Sequence, residues 1–330
     1  MSSSAATPRA SLLLLAYNQE QHIEEAARGC LAQQCEPLQI VFSDDASSDR
    51  THAILRDIAA SYAGPHRVVV RRNERNLGIA GHYNRLVDES CGELLITAAG
   101  DDISTPDRVA RLLAAWDATG QRADLVASHL IDIDAAGVEH GVLAVDDLAA
   151  HGGLDGWCRR RPFVIGAGHA FTRRLMQRFG PIDSAVPYED QIMVFRALVA
   201  GGATTVAAPL VRYRRGGESA RPSFETAAHE RAWRLRRLRS EIAEREQLMR
   251  DAALAGCAAQ VGAALERLRV RQAYLSRLYG ADSAMQRLRV LFMANGPSRA
   301  WRFGKWMHAT TAAARIRAAR RRRADSSKST

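Results

Sequence analysis

Short apolar runs alternate with amphipathic segments through the first hundred residues. Ser11 to Ala16 is an apolar run that ends at polar residues, as expected of a buried strand, and similar runs cover Gln39 to Phe42, Arg67 to Arg71 and Leu94 to Thr97. The segments between them have helical spacing. Strands that alternate with helices of this length predict βαβ units and a mainly parallel sheet.

The pattern is less regular after residue 100. A helix is predicted from Thr105-Pro106, because proline is favoured at the first helical position. A strand is predicted at Asp124 to Ile133, and a loop-rich cover at Val142 to Arg161. The other elements predicted before residue 215 are helices at 173–179 and 192–200 and strands at 204–208 and 211–213.

Long segments rich in Ala, Arg, Leu and Glu follow Glu225 and predict helices. The chain therefore divides into four predicted parts. They are a disordered N-terminus at 1–9, an α/β domain at 10–222, a basic α-helical extension at 223–318 and a disordered basic tail at 319–330.

Charge separates the two halves of the chain. The 330 residues carry a formal net charge of +10, and much of the excess lies beyond residue 210, ending in Arg320 to Arg323. A basic tail on a near-neutral body predicts an anionic partner. No secretory signal or stretch of eighteen apolar residues is present, and the five cysteines form no CxxC pair, so a cytoplasmic location is predicted.

Two acidic clusters stand just after predicted strands. They are Ser43 to Asp49 and Gly100-Asp101-Asp102. Adjacent carboxylates repel one another, so they are placed together mainly where a cation or a hydrogen-bond donor compensates. Open α/β sheets bind ligands at the carboxyl ends of their strands. The clusters therefore predict a site for a nucleotide and a metal.

The order of motifs along the chain resembles that of the family 2 glycosyltransferases. The series is Ser11 to Asn18, Asp44 to Asp49, Asn76 to Gly78, Gly100 to Asp102 and Tyr188 to Asp190, and it covers roughly residues 10–215. The resemblance implies a GT-A (Rossmann-like) fold, in which helices flank a mixed, mainly parallel sheet. It also implies a nucleotide-sugar donor.

The resemblance assigns the first acidic cluster to the nucleotide. Asp45, with Asp44 beside it, matches the family's Asp-Asp-Gly-Ser motif, and its carboxylate can accept an imide N–H such as that of uracil. The alternative is a helix cap, since Asp and Ser are common cap residues. The predicted nucleotide-binding residues are Ala16, Tyr17, Asn18, Asp44, Asp45, Asn76, Gly78 and Asp101.

Asp101 and Asp102 match the family's DxD-type motif and are the predicted metal ligands. A divalent cation held by oxygen ligands, manganese or magnesium, would neutralise the charge that develops on a departing nucleoside diphosphate. The leading Asp of the usual motif is replaced by Ala99, so one contact to the ribose or metal is lost. The alternative is that the two acids cap the next helix.

Asp190 is the predicted general base and Glu189 its supporting neighbour, because Tyr188-Glu189-Asp190 matches the family's Glu-Asp motif. Acids also stabilise the first turn of a helix without any catalytic role. Gly168 and His169 match the segment that lines the acceptor side, although a lone His beside a strand is more often structural. A single base with in-line displacement predicts inversion of the anomeric centre.

The predicted function is transfer of a sugar, from a UDP-sugar, to a hydroxyl of a lipid-linked or cell-surface glycan. A nucleotidyltransferase is the first alternative, but the place of its glycine-rich loop is taken by Ala16 to Glu20. The second is a nucleic-acid-binding protein that uses the basic C-terminal half, which lacks a recognised motif. No nucleic-acid partner is therefore expected, and the pattern does not determine an oligomeric state.

The last predicted helix is amphipathic. Its aromatic and cationic side chains suit a membrane interface, which would make the protein peripheral at the inner face of the membrane. The alternative is a helix that docks on the catalytic body. The residues predicted on its apolar face are Phe303, Trp306, Met307 and Thr310, and the flanking cations are Arg299, Arg302 and Lys305.

Overall fold

A computed structural model of the chain describes residues 8–215, 224–293, 296–316 and 318. Predictions for the N-terminal seven residues and for the tail at 319–330 fall outside these residues. The chain forms two compact units. The first comprises residues 1–220 and 250–257, and the second comprises residues 221–249 and 258–330.

The first unit alternates strands and helices. Its strands are β1 (Ala10–Ala16), β2 (Gln39–Asp44), β3 (Arg67–Arg72), β4 (Leu94–Ala99), β5 (Ile103–Ser104), β6 (Leu125–Ile133), β7 (Glu139–Leu143), β8 (Ala170–Thr172) and β9 (Ala203–Arg214). Its helices are α1 (Ile23–Leu31), α2 (Thr51–Ser61), α3 (Gly78–Glu89), α4 (Arg108–Ala118), α5 (Gly153–Arg159), α6 (Arg173–Phe179) and α7 (Asp190–Leu198), with a 3-10 turn at Gly166–Gly168.

These strands form one mixed sheet in the order β3-β2-β1-β4-β8-β6-β9-β5, with β7 paired to β6. The pairs β2–β3, β1–β2, β1–β4 and β6–β9 are parallel, while β8 runs antiparallel to both β4 and β6. The predicted fold class, a mixed and largely parallel sheet flanked by helices, is confirmed.

Burial explains the apolar run of β1, which lies inside the sheet with neighbours on both edges. Leu12, Leu13 and Leu14 are all buried, because helices cover both faces of the strand. Leu12 and Leu14 join a core that contains residues from β2, β4, α1, α2 and α4. This packing positions the carboxyl ends of β1, β2 and β4 side by side.

Three local predictions differ from the structure. The helix predicted from Thr105 begins at Arg108, because Ile103–Ser104 pairs with β9 and the Thr105 N–H donates to the Leu210 carbonyl. The two short strands predicted after residue 204 are one strand, whose pairing with β6 is irregular around Pro209. Proline has no N–H to donate, which accounts for the irregularity.

The loop predicted at 142–161 contains the end of β7 and the whole of α5. The short α5 is an apolar and glycine-containing segment, so its periodicity was too weak to predict a helix. Trp157 of α5 is buried and packs against Phe195, with ring centroids 4.9 Å apart. This contact joins α5 to α7.

The second unit is helical. It contains most of α8 (Ala227–Leu254), whose last residues belong to the first unit, and α9 (Ala258–Gly280), α10 (Ala284–Leu291) and α11 (Arg299–Thr310). Tyr274, Leu278 and Val290 are at the centre of its smaller core. Among the described helices, none combines the length and hydropathy required to span a bilayer.

Candidate active site

The predicted nucleotide motifs meet at one edge of the sheet. Ala16 is in register with Asp44 at the ends of β1 and β2, and Leu15 is in register with Ala99 of β4. The Asp45 N–H donates to the Ala16 carbonyl, and the Gly100 N–H donates to the Leu15 carbonyl, both at 2.9 Å. The two acidic clusters therefore leave the sheet on either side of β1.

Asp44 is fully buried and holds the loop that follows it. Its carboxylate accepts from the Ser47 N–H and lies 3.1 Å from the Arg72 Nε. Between Asp44 and Ser47 in the chain, Ala46 adopts a φ of +61°, a backbone conformation that residues other than glycine rarely take. This left-handed residue occupies the position of glycine in the Asp-Asp-Gly-Ser motif, so the same turn is kept without glycine.

Asp45 organises the start of α3. Its carboxylate accepts from the Asn73 side-chain amide at 2.6 Å, from the Leu77 N–H at 2.9 Å and from the Gly78 N–H at 3.1 Å. Gly78 has a φ of +70°, and the Asn76 side chain accepts from its N–H at 2.8 Å. The Asn76-Leu77-Gly78 motif thus directs N–H groups at the start of α3, which have no partner within the helix, toward the Asp45 carboxylate.

The segment after β1 is tied to the same loop. Asn18, with a φ of +51°, accepts from the Ser48 N–H at 2.8 Å, and its own N–H donates to the Ser47 hydroxyl. Tyr17 beside it is 45% exposed. The backbone is therefore held while the Tyr17 ring remains open to a ligand.

Gly100 allows the second acidic cluster to lie against Gln19, in the segment that follows β1. A Cβ at Gly100 would overlap the Gln19 side-chain oxygen. Asp102 is 4% exposed and accepts from the Arg214 N–H at 2.8 Å. Burial, reinforced by neighbouring Asp101, raises the pKa of Asp102 to about 8. Two carboxylates are therefore held in a region that favours a compensating cation.

Two arginines that the sequence did not distinguish support this cluster. Arg108 is fully buried and donates to the carbonyls of Thr97 and Ala167 at 2.7 and 2.6 Å. Arg214 donates to the Asp101 carbonyl at 3.0 Å and pairs with Glu25. Neither has a motif signal, because each acts through backbone carbonyls that only the folded chain brings together.

Two other arginines close to Arg214 in the chain have carboxylate partners in the structure. Arg215 pairs with Asp132, and Arg212 lies 3.4 Å from Glu139. Arg214, between them, is the residue that reaches the second acidic cluster. Strand alternation explains why Arg215 differs from its neighbour Arg214, since successive side chains point to opposite faces.

The predicted base lies next to the acceptor-side segment. The Thr97 hydroxyl at the end of β4 donates to the Gly166 carbonyl at 3.0 Å. A Cβ built on Gly166 would lie 2.6 Å from the Glu189 Oε1 and 3.6 Å from the Asp190 Cβ. One hydrogen bond and one close glycine contact therefore connect the strand that leads to Asp101 with the start of α7.

His169 is deeply placed in this region. It is 2% exposed, and its Nε2 has no hydrogen-bond partner among the described residues. Burial, with Arg108 nearby, lowers the pKa of His169 to about 3, so the ring is neutral. Contact between His169 and an acceptor would require the surrounding residues to move. Gly168 lies beside it and approaches the Ser128 carbonyl.

The environment of Glu189 opposes its ionisation. Burial, with Asp190 adjacent, raises the pKa of Glu189 from 4.5 to about 7. The buried Tyr83 hydroxyl has a pKa well above its usual value, because of burial and the nearby Glu189 carboxylate. Glu189 therefore tends to keep its proton near neutral pH, directly beside the Asp190 carboxyl.

We expect Glu189→Gln to stabilise the protein at pH 8. Between pH 4.5 and 7 the folded state keeps a proton that the unfolded state loses, so wild-type stability falls as pH rises and the penalty is complete above 7. After allowance for partial exposure, the gain at pH 8 is about 1–2 kcal/mol. Urea unfolding measures it.

The gain from Glu189→Gln should fall toward zero as the pH drops below 4.5, where both the folded and the unfolded wild type become protonated. Glu93→Gln, at an exposed site in the same unit, is the matched control and should show little change. Equal stability of Glu189→Gln and wild type at all pH values would show that burial does not perturb this carboxyl.

The donor chemistry of Asp101 and Asp102 fits a hard divalent cation, although these residues form only part of a coordination shell. No group of three or more His, Cys, Asp or Glu side chains in the described part of the chain is placed to hold a metal. Mg²⁺ and similar cations commonly retain waters and bind substrate phosphates alongside one or two carboxylates. The site therefore fits a metal shared with a diphosphate.

Comparison with solved structures places the fold in a known class. The mannosyltransferase PcManGT from Pyrobaculum calidifontis, solved with GDP-Man and Mn²⁺, is 16% identical with a TM-score of 0.56, over 95% of this chain and 83% of that one. S. aureus TarS 1–349 with UDP-GlcNAc is 16% identical with a TM-score of 0.53, over 91% and 81%. The fold is that of the GT-A glycosyltransferases.

The sequence comparison names the family. Residues 11–174 match the family model described as glycosyl transferase family 2, so this part of the chain is a family 2 glycosyltransferase domain. The resemblance predicted from the motif order is confirmed. The uncharacterized protein Rv1520 of Mycobacterium tuberculosis is 35% identical over 96 residues, which cover 29% of this chain and 27% of that protein.

Proposed function

We propose that the protein is an inverting glycosyltransferase that uses a nucleotide-sugar donor, a UDP-sugar by the prediction from Asp45. The observation that carries the proposal is the link from β4 through Thr97 and Gly166 to Asp190. It connects a carboxylate pair suited to a diphosphate with a separate carboxylate suited to an acceptor hydroxyl. The carboxylate pair follows β4, at the strand end where α/β folds commonly bind ligands.

In the proposed reaction, the acceptor oxygen attacks the anomeric carbon from the face opposite the diphosphate. The bond between the anomeric carbon and the phosphate oxygen breaks, and its electron pair leaves with the diphosphate. Asp190 takes the hydroxyl proton, and Glu189 helps to orient this base. A single displacement inverts the anomeric configuration, which NMR of the product would report.

Asp101 and Asp102 would hold manganese or magnesium together with the donor diphosphate. The metal supplies Lewis-acid stabilisation of the charge on the leaving diphosphate. Arg214 holds the Asp101–Asp102 turn through its hydrogen bond to the Asp101 carbonyl, while Arg108 holds β4 through the Thr97 carbonyl. Tyr17 and the turn around Asp45 would enclose the nucleobase, with Ala16, Asn18, Asp44, Asn76 and Gly78 forming the surrounding backbone.

The acceptor is proposed to be a hydroxyl of a lipid-linked or cell-surface glycan. Gly168 and its neighbours would border it, since glycine permits close approach of a sugar to the backbone. The long basic helical part after residue 223 supports an acceptor presented at an anionic surface.

A thermal-shift panel of UDP-, GDP- and other nucleotide sugars, with and without Mn²⁺, tests the proposal. We expect one nucleotide class to raise the Tm, and the shift to grow with Mn²⁺, because a ligand at 100 times its Kd adds about 2.7 kcal/mol of stability. Asp102→Asn should abolish the metal-dependent part, whereas the exposed control Asp88→Asn should retain it. Absence of stabilisation and of donor cleavage with every nucleotide sugar would refute the proposal.

A further inference from the structure

The helices α10 and α11 each have two apolar faces. Their inner faces pack on α9, where Val290, Trp301 and Trp306 join the core around Tyr274. Arg302, predicted beside the outer apolar face, is buried and donates to the Met293 carbonyl. The sequence pattern therefore merged an inner face with an outer one, and only the structure separates them.

The outer faces expose large apolar side chains. Met285, Leu288 and the C-cap residue Phe292 are spaced by three and four residues, which places them on one stripe of α10. Phe303 and Met307 are four residues apart and share one stripe of α11. Phe292 is 77% exposed, Met285 60% and Phe303 54%. We name this set the C-terminal apolar surface; it comprises Met285, Leu288, Phe292, Phe303 and Met307.

The two helices carry charge of one sign. Together, α10 and α11 contain five Arg and Lys residues and no Asp or Glu. Arg289 and Arg299 are exposed on the same two helices, and the Lys305 ammonium lies 5.5 Å from the centre of the Trp301 ring. Exposed apolar side chains surrounded by cations are complementary to an anionic lipid surface.

We propose that the C-terminal apolar surface binds anionic membranes by inserting its apolar side chains below the headgroups. A second copy of the chain is a poorer partner, because two such surfaces would bring cations against cations. RNA is a poorer partner, because three of the five exposed side chains, Met285, Leu288 and Met307, are aliphatic and offer neither base stacking nor hydrogen bonds. This proposal does not rest on the glycosyltransferase reaction.

Vesicle flotation of the full chain tests the proposal without any activity measurement. Vesicles of phosphatidylcholine are compared with vesicles containing 30% phosphatidylglycerol, each at low and high salt. We expect binding to the anionic vesicles only, weakened at high salt because charge contributes to it. The double variant Phe292→Ser/Phe303→Ser should lower partitioning at least tenfold, since two exposed apolar anchors are lost.

Matched controls separate insertion from general charge and from misfolding. Leu254→Ser removes an exposed apolar side chain elsewhere and should bind as wild type. Arg289→Gln/Arg299→Gln should weaken binding more than Arg236→Gln/Arg239→Gln, which changes the net charge equally on α8. Equal binding to neutral vesicles, equal effects of the two charge pairs, or tight RNA binding in a gel shift without vesicle binding would each overturn the proposal.

Discussion

Asp190→Asn is expected to lower the transfer rate by about 10²–10⁴-fold, the usual contribution of a general base. The amide has nearly the same shape as the carboxylate but cannot take the acceptor proton. Asp190 is the first residue of α7, and a Cβ built on Gly166 would lie 3.6 Å from the Asp190 Cβ. Initial rates at saturating donor and acceptor measure the loss.

The Asp190→Asn variant should keep the thermal shift caused by the donor, because the nucleotide contacts are proposed on other strands. Asp183→Asn, an exposed acid seven residues earlier, is the matched control and should keep its rate. Transfer at the wild-type rate by Asp190→Asn would remove this residue from the mechanism. Loss of both transfer and donor binding would instead assign it to donor binding.

Asp251→Asn is expected to destabilise the protein by about 3–5 kcal/mol, because it leaves a buried arginine without its counter-ion. Arg196 of α7 and Asp251 are both fully buried, with Nε to Oδ2 at 2.8 Å and Nη2 to Oδ1 at 3.2 Å. Arg196 also donates to the Gly180 carbonyl at 2.9 Å. Urea unfolding measures the change, within the first unit.

The adjacent pair provides a matched control for Asp251→Asn. Arg250 and Asp183 are 3.0 Å apart but exposed, so Asp183→Asn should cost less than about 1 kcal/mol. The apolar double variant Arg196→Met/Asp251→Leu should recover most of the lost stability. A small effect of Asp251→Asn, equal to that of Asp183→Asn, would contradict the assignment of a dry ion pair.

The Arg196–Asp251 pair also bears on the site. Arg196 lies six residues after Asp190 in the same helix, so the pair anchors the helix that presents the proposed base. Arg196 further packs over the Phe179 ring at 5.5 Å. The partners come from residues 55 positions apart, and no local pattern connects them.

The fold class followed from the sequence because the apolar runs are strong and regular. Leu12 to Leu14 of β1 are buried on both sides, which makes a continuous apolar run the only pattern compatible with that position. Helix α5 escaped prediction because it is short and contains Gly153 and Gly156. Its position is decided by packing of Trp157 on Phe195.

The candidate site was predictable only where its residues lie in motifs at the end of a strand or the start of a helix. The motifs identify Asp44, Asp101 and Asp190, and the predicted order of strands and helices shows which element each of them adjoins. Arg108 and Arg214 could not be identified in this way, because the chain contains many arginines with the same local appearance. Their roles depend on carbonyls supplied by Thr97, Ala167 and Asp101.

The sequence by itself determined the alternating strands and helices, the acidic motifs and the basic character of the C-terminal part. These features depend on local periodicity and on residue type, which are read directly along the chain. The tertiary structure decided that Asp45 accepts the N–H groups of Leu77 and Gly78, and that Gly166 adjoins Asp190. It also decided which faces of α10 and α11 stay exposed, because each of these facts depends on contacts between segments that are distant in sequence.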